Sequence, residues 1–378
     1  MDLSLDDTQQ LVRNSARDFL AESVDRQYVR DMEDDEHGYS DEFWKAVAGL
    51  GWTGMIVPEE HGGAGMSLIE LSLVLEEMGA VAAPGPFFST AVVGAHAITT
   101  HGNDDQKSRY LPRLVNGELI TSLAMLEGSA TWEPGGIKMS AQRSEDGWRL
   151  NGEKVFVADA GVADLFIVAA RTDENGPPEE SITLFLVEPS ATGAMKMERL
   201  ESVSDDRYYV VDFKDVVVPP DGVLGEVDGG WPLLKQTLDL AAVAKCAEML
   251  GGSRKAVDMT LEFVKERVQF GRPIGTFQAV QHRAAEMATD LEIARQFTYR
   301  AAWALSEGKG NGTEVATAKA FLSEKFSEIC SSAHQLHGAI GFTREHDLQI
   351  YSRRAASARV AFGDARHHRE VLAGLMGL

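Results

Sequence analysis

The chain has 378 residues, enough for two or three domains at roughly 150 residues each and for a core that needs no disulfide staples. That length excludes a single small module, and the composition, 44% hydrophobic and 25% charged, is that of an ordinary soluble globular protein. Acidic residues outnumber basic ones 58 to 36, for a formal charge of −22. That sign argues against a nucleic-acid partner, whose phosphates call for Lys and Arg, and against docking on an anionic membrane. It leaves room for an anionic substrate in a local basic pocket.

The start, Met1-Asp2-Leu3, runs straight into polar sequence without a signal-peptide pattern, and no apolar run approaches the length of a membrane span. Cys246 and Cys330 lie in helix-like stretches with apolar neighbours, as buried thiols of a reducing compartment would. The expected location is cytoplasmic.

Residues 1–118 read as an N-terminal helical domain. Leu11, Ala16, Phe19 and Leu20 form one apolar face; Phe43, Ala46, Val47, Leu50 and Trp52 form another. Gly62-Gly63-Ala64-Gly65 interrupts the pattern, which resumes over residues 68–78, and Gly79 is the expected C-cap. Ala83-Pro84-Gly85-Pro86 is a turn-rich joint.

Residues 119–226 read as a central β-barrel or sandwich of short strands. Trp148-Arg149-Leu150-Asn151 leads to an expected turn at Gly152, and β-rich runs follow at residues 155–157, 165–170, 182–187 and 208–218, with a polar loop at 173–180. Residues 227–378 read as a C-terminal four-helix bundle. Its predicted helices are 238–268, passing through Gly251-Gly252, then 278–307, 313–336 and 367–376. In the third, Val315, Ala318, Leu322, Phe326, Ile329 and Ala333 repeat at helical spacing. Asn311-Gly312-Thr313 fits a glycosylation sequon but reads better as a helix cap. His367-His368 lacks further ligands at metal-binding spacing. Neither a P-loop nor a Gly-x-Gly-x-x-Gly after a strand occurs.

The most specific motif is Arg267-Val268-Gln269-Phe270-Gly271-Arg272-Pro273-Ile274-Gly275-Thr276-Phe277-Gln278, between two long helices. It is joined by Pro58-Glu59-Glu60-His61-Gly62-Gly63, Leu150-Asn151-Gly152-Glu153-Lys154 and Gln335-Leu336-His337-Gly338-Ala339-Ile340-Gly341-Phe342. With the helical–β–helical order, these segments resemble the acyl-CoA dehydrogenase family over nearly the whole chain. The resemblance implies an α+β multidomain fold and a tetrameric FAD flavoprotein of lipid metabolism. It further implies α,β-dehydrogenation of an acyl-CoA thioester, with electrons passed to an electron-transferring flavoprotein. In the chemistry the resemblance implies, a carboxylate would take the α-proton while the flavin would accept the hydride.

Laid on this sequence, the resemblance divides the site. One family position for the base falls on Phe362, in Ala361-Phe362-Gly363-Asp364; the other falls on Ala241, with Ala242 beside it. Asp364 and Glu248 are the weak stand-ins, and Glu248 lies about 10 Å along the helix from Ala241 at 1.5 Å per residue. In the chain's own flavin bed, Leu126 replaces an expected Thr, Trp132 a small hydroxyl residue, and Phe156-Val157-Ala158 keeps an aromatic but loses a hydroxyl. The set lent to a neighbouring subunit's FAD is retained: Arg267, Phe270, Gln278, Gln335, Gly338 and Gly341. Arg353 and Arg354 are expected on a helix surface or interface.

The resemblance therefore implies the partner subunit of a heterotetramer of two related chains, which completes the FAD site without supplying the base. The alternatives are a homomeric acyl-CoA dehydrogenase with a displaced base, Asp364 or Glu248, and a non-catalytic binding or scaffold protein of this fold.

Overall fold

The computed structural model describes residues 5–189, 194–204, 206–310 and 312–378. In chain order the elements begin with helices α1 (Asp7–Ser23), α2 (Arg26–Asp34), α3 (Asp41–Gly49) and α4 (Leu68–Val81). A π-helical stretch, Phe88–Gly94, runs into α5 (Ala95–His101), and α6 is Asp104–Val115. The strands follow: β1 (Thr121–Ala124), β2 (Ser140–Ser144), β3 (Gly147–Ala158), β4 (Leu165–Arg171), β5 (Ile182–Val187), β6 (Met195–Arg199), β7 (Tyr208–Val218) and β8 (Val223–Leu224). Then come α7 (Gly230–Glu266), a hairpin of β9 (Val268–Gln269) and β10 (Arg272–Pro273), α8 (Gln278–Ser306), α9 (Thr313–His337), α10 (Leu348–Ala358) and α11 (Ala365–Leu375). The helical–sheet–helical order is the expected one. No described helix is long and apolar enough to cross a membrane.

The chain packs as two compact units. One comprises Asp31–Ser67 and Pro84–Ala241 and holds the sheet. Its strand order is β6-β7-β3-β2-β4-β5-β8, with β1 parallel to β4; β6 and β8 end the sheet without pairing to each other, so the strands form no closed barrel. The core behind it is Trp148, Leu150, Phe166, Phe185, Val211, Phe213 and Val216. Gly152 is not a turn. It lies inside the continuous strand β3, at a register shift between Leu150 and Gly152 against β7, with φ +147°. A glycine that breaks a strand pattern marks a bulge as readily as a turn.

The other unit comprises Met1–Arg30, Leu68–Ala83 and Ala242–Leu378. Among the described residues from 230 on there are five helices rather than four: α7 begins eight residues before its predicted start, and α10, which carries Arg353 and Arg354, is the addition to the predicted bundle. Gly79 does not cap α4 but sits inside it, buried; a Cβ there would lie 2.0 Å from the Glu248 carbonyl oxygen of α7. Gly251 and Gly252 do the same work from the α7 side. A Cβ on Gly251 would lie 1.8 Å from the Glu76 carbonyl oxygen, and one on Gly252 would lie 2.5 Å from Phe326 Cζ. The glycines are there for close helix approach, which outweighs their helix propensity. On the same helix Glu76 and Glu77 are buried: Glu77 accepts from Arg17 (2.7 Å) and Arg254 (2.7 Å), Glu76 from Arg295 (3.1 Å) and Tyr299 (2.6 Å). Leu11, expected on the buried face of α1, is 69% exposed, while Ala16 and Leu20 of that face are fully buried. Both cysteines are buried and free. Asn311 lies outside the described residues; Gly312 is the residue that caps α9.

Candidate functional site

The Arg267–Gln278 segment folds as the β9–β10 hairpin followed by the first turn of α8. Gln269 pairs with Arg272 and Val268 with Pro273, leaving Phe270 and Gly271 as a two-residue turn with φ +52° and +80°. Two successive left-handed residues make the tight hairpin turn that matches strand twist, where Asn-Gly is the usual pair. Phenylalanine in that conformation is strained, and such strain collects at functional positions. Phe270 is 91% exposed at the tip. Its ring meets Phe277 edge-on, and Arg272 covers Phe277 at 4.2 Å. The Arg267 N–H donates to the Phe263 carbonyl and the Arg267 carbonyl accepts from Ile274, both at 2.8 Å, so backbone holds the residue while its exposed guanidinium bonds to none of the described residues.

The second motif closes α9. Gly338 has φ +66° with open space where a Cβ would stand, and Gly341 is buried against His334 and His337. Phe263 of α7 stacks on His337 of α9 at 4.5 Å, which brings the ends of the two motif segments together within the helical unit. Gln278 and Gln335 are exposed, and their amides bond to none of the described residues. Phe342, Val268 and Ile340 are exposed apolar side chains of the same two segments.

In the sheet unit, Phe156 lies in β3 at a second register shift against β7, with φ +53° and about half its surface exposed. Leu126 is buried. Lys154 is buried beneath this segment and donates to Glu127 Oε1 at 2.8 Å and to the Met125 carbonyl at 3.0 Å. Burial lowers the Lys154 ammonium to about 8, against the pull of Glu127. Glu127 Oε1 also accepts from the backbone N–H groups of Lys138 and Met139. Asp159, at φ +56°, accepts from Ser89 Oγ of the π-helical stretch at 2.6 Å.

The positions considered for a base are apolar or engaged. Ala241 is fully buried. Phe362 is half-buried with φ +56°. The Asp364 carboxylate caps α11, accepting from the His367 N–H at 2.8 Å. Glu248 is paired with Lys245 at 2.7 Å. Arg353 donates to Gln349 and Arg354 to the Ala83 carbonyl, both from α10. Among the described residues no group of three His, Cys, Asp or Glu is placed to hold a metal ion. Lys154, which ends the Leu150–Lys154 motif, and Lys319 are both wholly buried, and motif reading assigned neither a role. A signal existed for Lys319, which falls in the apolar repeat of Val315, Leu322 and Phe326.

Three family descriptions match in succession: the acyl-CoA dehydrogenase N-terminal domain at residues 6–118, the middle domain at 122–216 and the C-terminal domain at 228–376. Isovaleryl-CoA dehydrogenase of Solanum tuberosum is 30% identical, over 98% of this chain and 90% of its own. Butyryl-CoA dehydrogenase from Megasphaera elsdenii is similar in structure with a TM-score of 0.92 and 28% identity, covering both chains fully. A variant of the Tcur3481-Tcur3483 steroid ACAD is similar with a TM-score of 0.87 and 30% identity, over 98% of each chain. The chain belongs to the acyl-CoA dehydrogenase family, flavoprotein oxidoreductases whose cofactor is FAD.

The donor set of the helical unit fits that cofactor. An unpaired guanidinium suits phosphate oxygens. Gly271 and Gly338 leave backbone open to close approach, with nothing within 4 Å of where a Cβ would be. Phe270 offers an exposed ring face to a base.

Proposed function

We propose that this chain is the partner subunit of a heterotetrameric acyl-CoA dehydrogenase-type enzyme, completing an FAD site for a related chain and supplying no base of its own. One observation carries the reading. The groups suited to a dinucleotide, Arg267, Phe270, Gln278 and Gln335, stand exposed, while the two base positions hold Phe362 and Ala241. The two-component name of the steroid relative supports it. Arg267 would meet the pyrophosphate, Phe270 would pack on the adenine side, and Gln278, Gln335, Gly338 and Gly341 would line the dinucleotide. On the chain's own side Phe156 would lie beneath the ring system. When bound, the flavin would supply the hydride acceptor for dehydrogenation of an acyl-CoA thioester, with an electron-transferring flavoprotein as the expected electron acceptor. Of the alternatives, a displaced base finds little support: Asp364 is used as a helix cap and Glu248 is neutralised by Lys245.

The test is the visible spectrum of the chain purified alone. A colourless protein that turns yellow only when produced with a related chain supports the reading. Stoichiometric FAD on the chain alone, with turnover of an acyl-CoA, overturns it in favour of a homomeric enzyme.

A further inference from the structure

Lys319 is fully buried in α9, at a position in the apolar repeat where Leu or Met would serve for packing alone. Its Nζ reaches no carboxylate within ion-pair distance among the described residues. It donates instead to the Gly363 carbonyl at 2.7 Å, the Ser323 hydroxyl at 2.9 Å, and the Ala358 and Arg359 carbonyls at 3.3 and 3.4 Å. The last two are C-terminal carbonyls of α10, the negative end of that helix dipole. The turn that follows is held from its other side as well: a ring nitrogen of His368 lies 2.9 Å from the Phe362 carbonyl oxygen, and Asp364 caps α11. Phe362 and Gly363 are both left-handed, at φ +56° and +93°. A Cβ on residue 363 would lie 2.5 Å from His367 Cδ2, so only glycine fits. Phenylalanine keeps such a conformation only where its surroundings over-determine it.

We propose that Lys319 is a positioning residue, whose bond to the Gly363 carbonyl fixes the turn from which the side chain of residue 362 projects. The frame that would present a side chain at this position is thus complete although the side chain is apolar. Its relevance to the reaction rests on the reading above, in which residue 362 stands at a base position; the frame itself rests on these contacts. The groups facing the Lys319 ammonium are Cys246 and Lys245 from α7, Ser323 on its own helix, and Asp364 from α11, with His368 beyond the turn. Burial lowers the Lys319 ammonium to about 8 and raises the Cys246 thiol to about 12.

The experiment places 4-fluorophenylalanine at position 362 of the full chain and reads its fluorine resonance, with the same label at Phe326 as a control for general loosening of α9. One narrow line is expected for the parent. In Lys319→Met the 362 line should shift or split into several while the Phe326 line stays put. If the folded Lys319→Met or Lys319→Gln chain keeps the parent's 362 line in position and width, the proposal is overturned. Should neither variant fold, the parent alone decides. Its 362 line should be single and narrow, as a fixed turn requires, and a broad or split 362 line beside a narrow Phe326 line overturns the proposal. Failure of the partner-subunit reading would appear in the flavin spectrum and leaves this readout untouched.

Discussion

Lys154 and Glu127 form an enclosed ion pair, Nζ to Oε1 2.8 Å, with the lysine side chain wholly buried and the glutamate side chain 13% exposed. Removing one partner of such a pair costs about 3–5 kcal/mol, because the other is left charged and unsatisfied. Glu127→Gln keeps the shape and removes the charge. It is expected to lower unfolding stability in urea by at least about 2 kcal/mol, whereas the exposed-pair variant Glu370→Gln should change it by under about 1 kcal/mol. Equal effects of the two variants would deny the Lys154–Glu127 pair its structural role.

The glycines of the helical unit give opposed predictions. Gly251→Ala puts a methyl group 1.8 Å from backbone, so α4 and α7 must separate. A loss of about 2–4 kcal/mol is expected, within the range for overpacked cores. Gly374, inside α11, has nothing within 4 Å of its Cβ position, and Gly374→Ala should stabilise by about 0.5–1 kcal/mol. Thermal unfolding of the two variants checks both signs.

Acid should weaken the fold through histidines that full or partial burial disfavours in the charged form. His96 is pushed down to about 4, chiefly by burial and further by His101. His334, His337 and His346 are lowered for the same first reason. A histidine lowered in the folded state takes up its proton more readily when unfolded. Its contribution is therefore complete above about pH 6.5 and is lost as pH falls from there towards the folded value. For His96 the window is about 6.5 to 4, with a slope of up to about 1.4 kcal/mol per pH unit. Stability measured against pH should be flatter in that window for His96→Asn than for the parent; coincident profiles would show that His96 does not contribute.

Arg267→Ala should lower FAD content at least tenfold in the complex with a related chain while leaving the unfolding temperature of the isolated chain within about a degree. The guanidinium has no partner to lose in the described structure, and a charged hydrogen bond to phosphate is worth about 1.5–3 kcal/mol. Flavin content measured by absorbance after desalting decides it; retention of full cofactor would remove Arg267 from the site.

The succession of helical and sheet segments was legible because periodicity switches between 3.6 and 2 and because glycines and prolines gather at the joints. What escaped was the meaning of single glycines. Gly79 looks like a cap and Gly152 like a turn, since local sequence cannot say that another backbone comes within 2.0 Å of one or that the other lies at a bulge. The hairpin at Phe270-Gly271 also escaped, because its turn uses phenylalanine where asparagine is usual. The residues proposed for the dinucleotide stood out as a motif, and the structure leaves Arg267, Phe270, Gln278 and Gln335 exposed. The roles of Lys154 and Lys319 were not legible, because, Ser323 aside, their partners are backbone carbonyls and a carboxylate remote in sequence.

Phe270 and Phe342, 91% and 71% exposed, bear on how the isolated chain behaves in solution. Apolar rings held open to water invite self-association, and a charge of −22 opposes it by keeping copies apart. That repulsion is a matter of ionic strength, since a Debye length near 10 Å at 0.1 M falls to about 3 Å at 1 M. The isolated chain is therefore expected to stay dispersed in dilute buffer and to turn sticky in brine, and its shelf life becomes a gauge of how well those rings are sheathed.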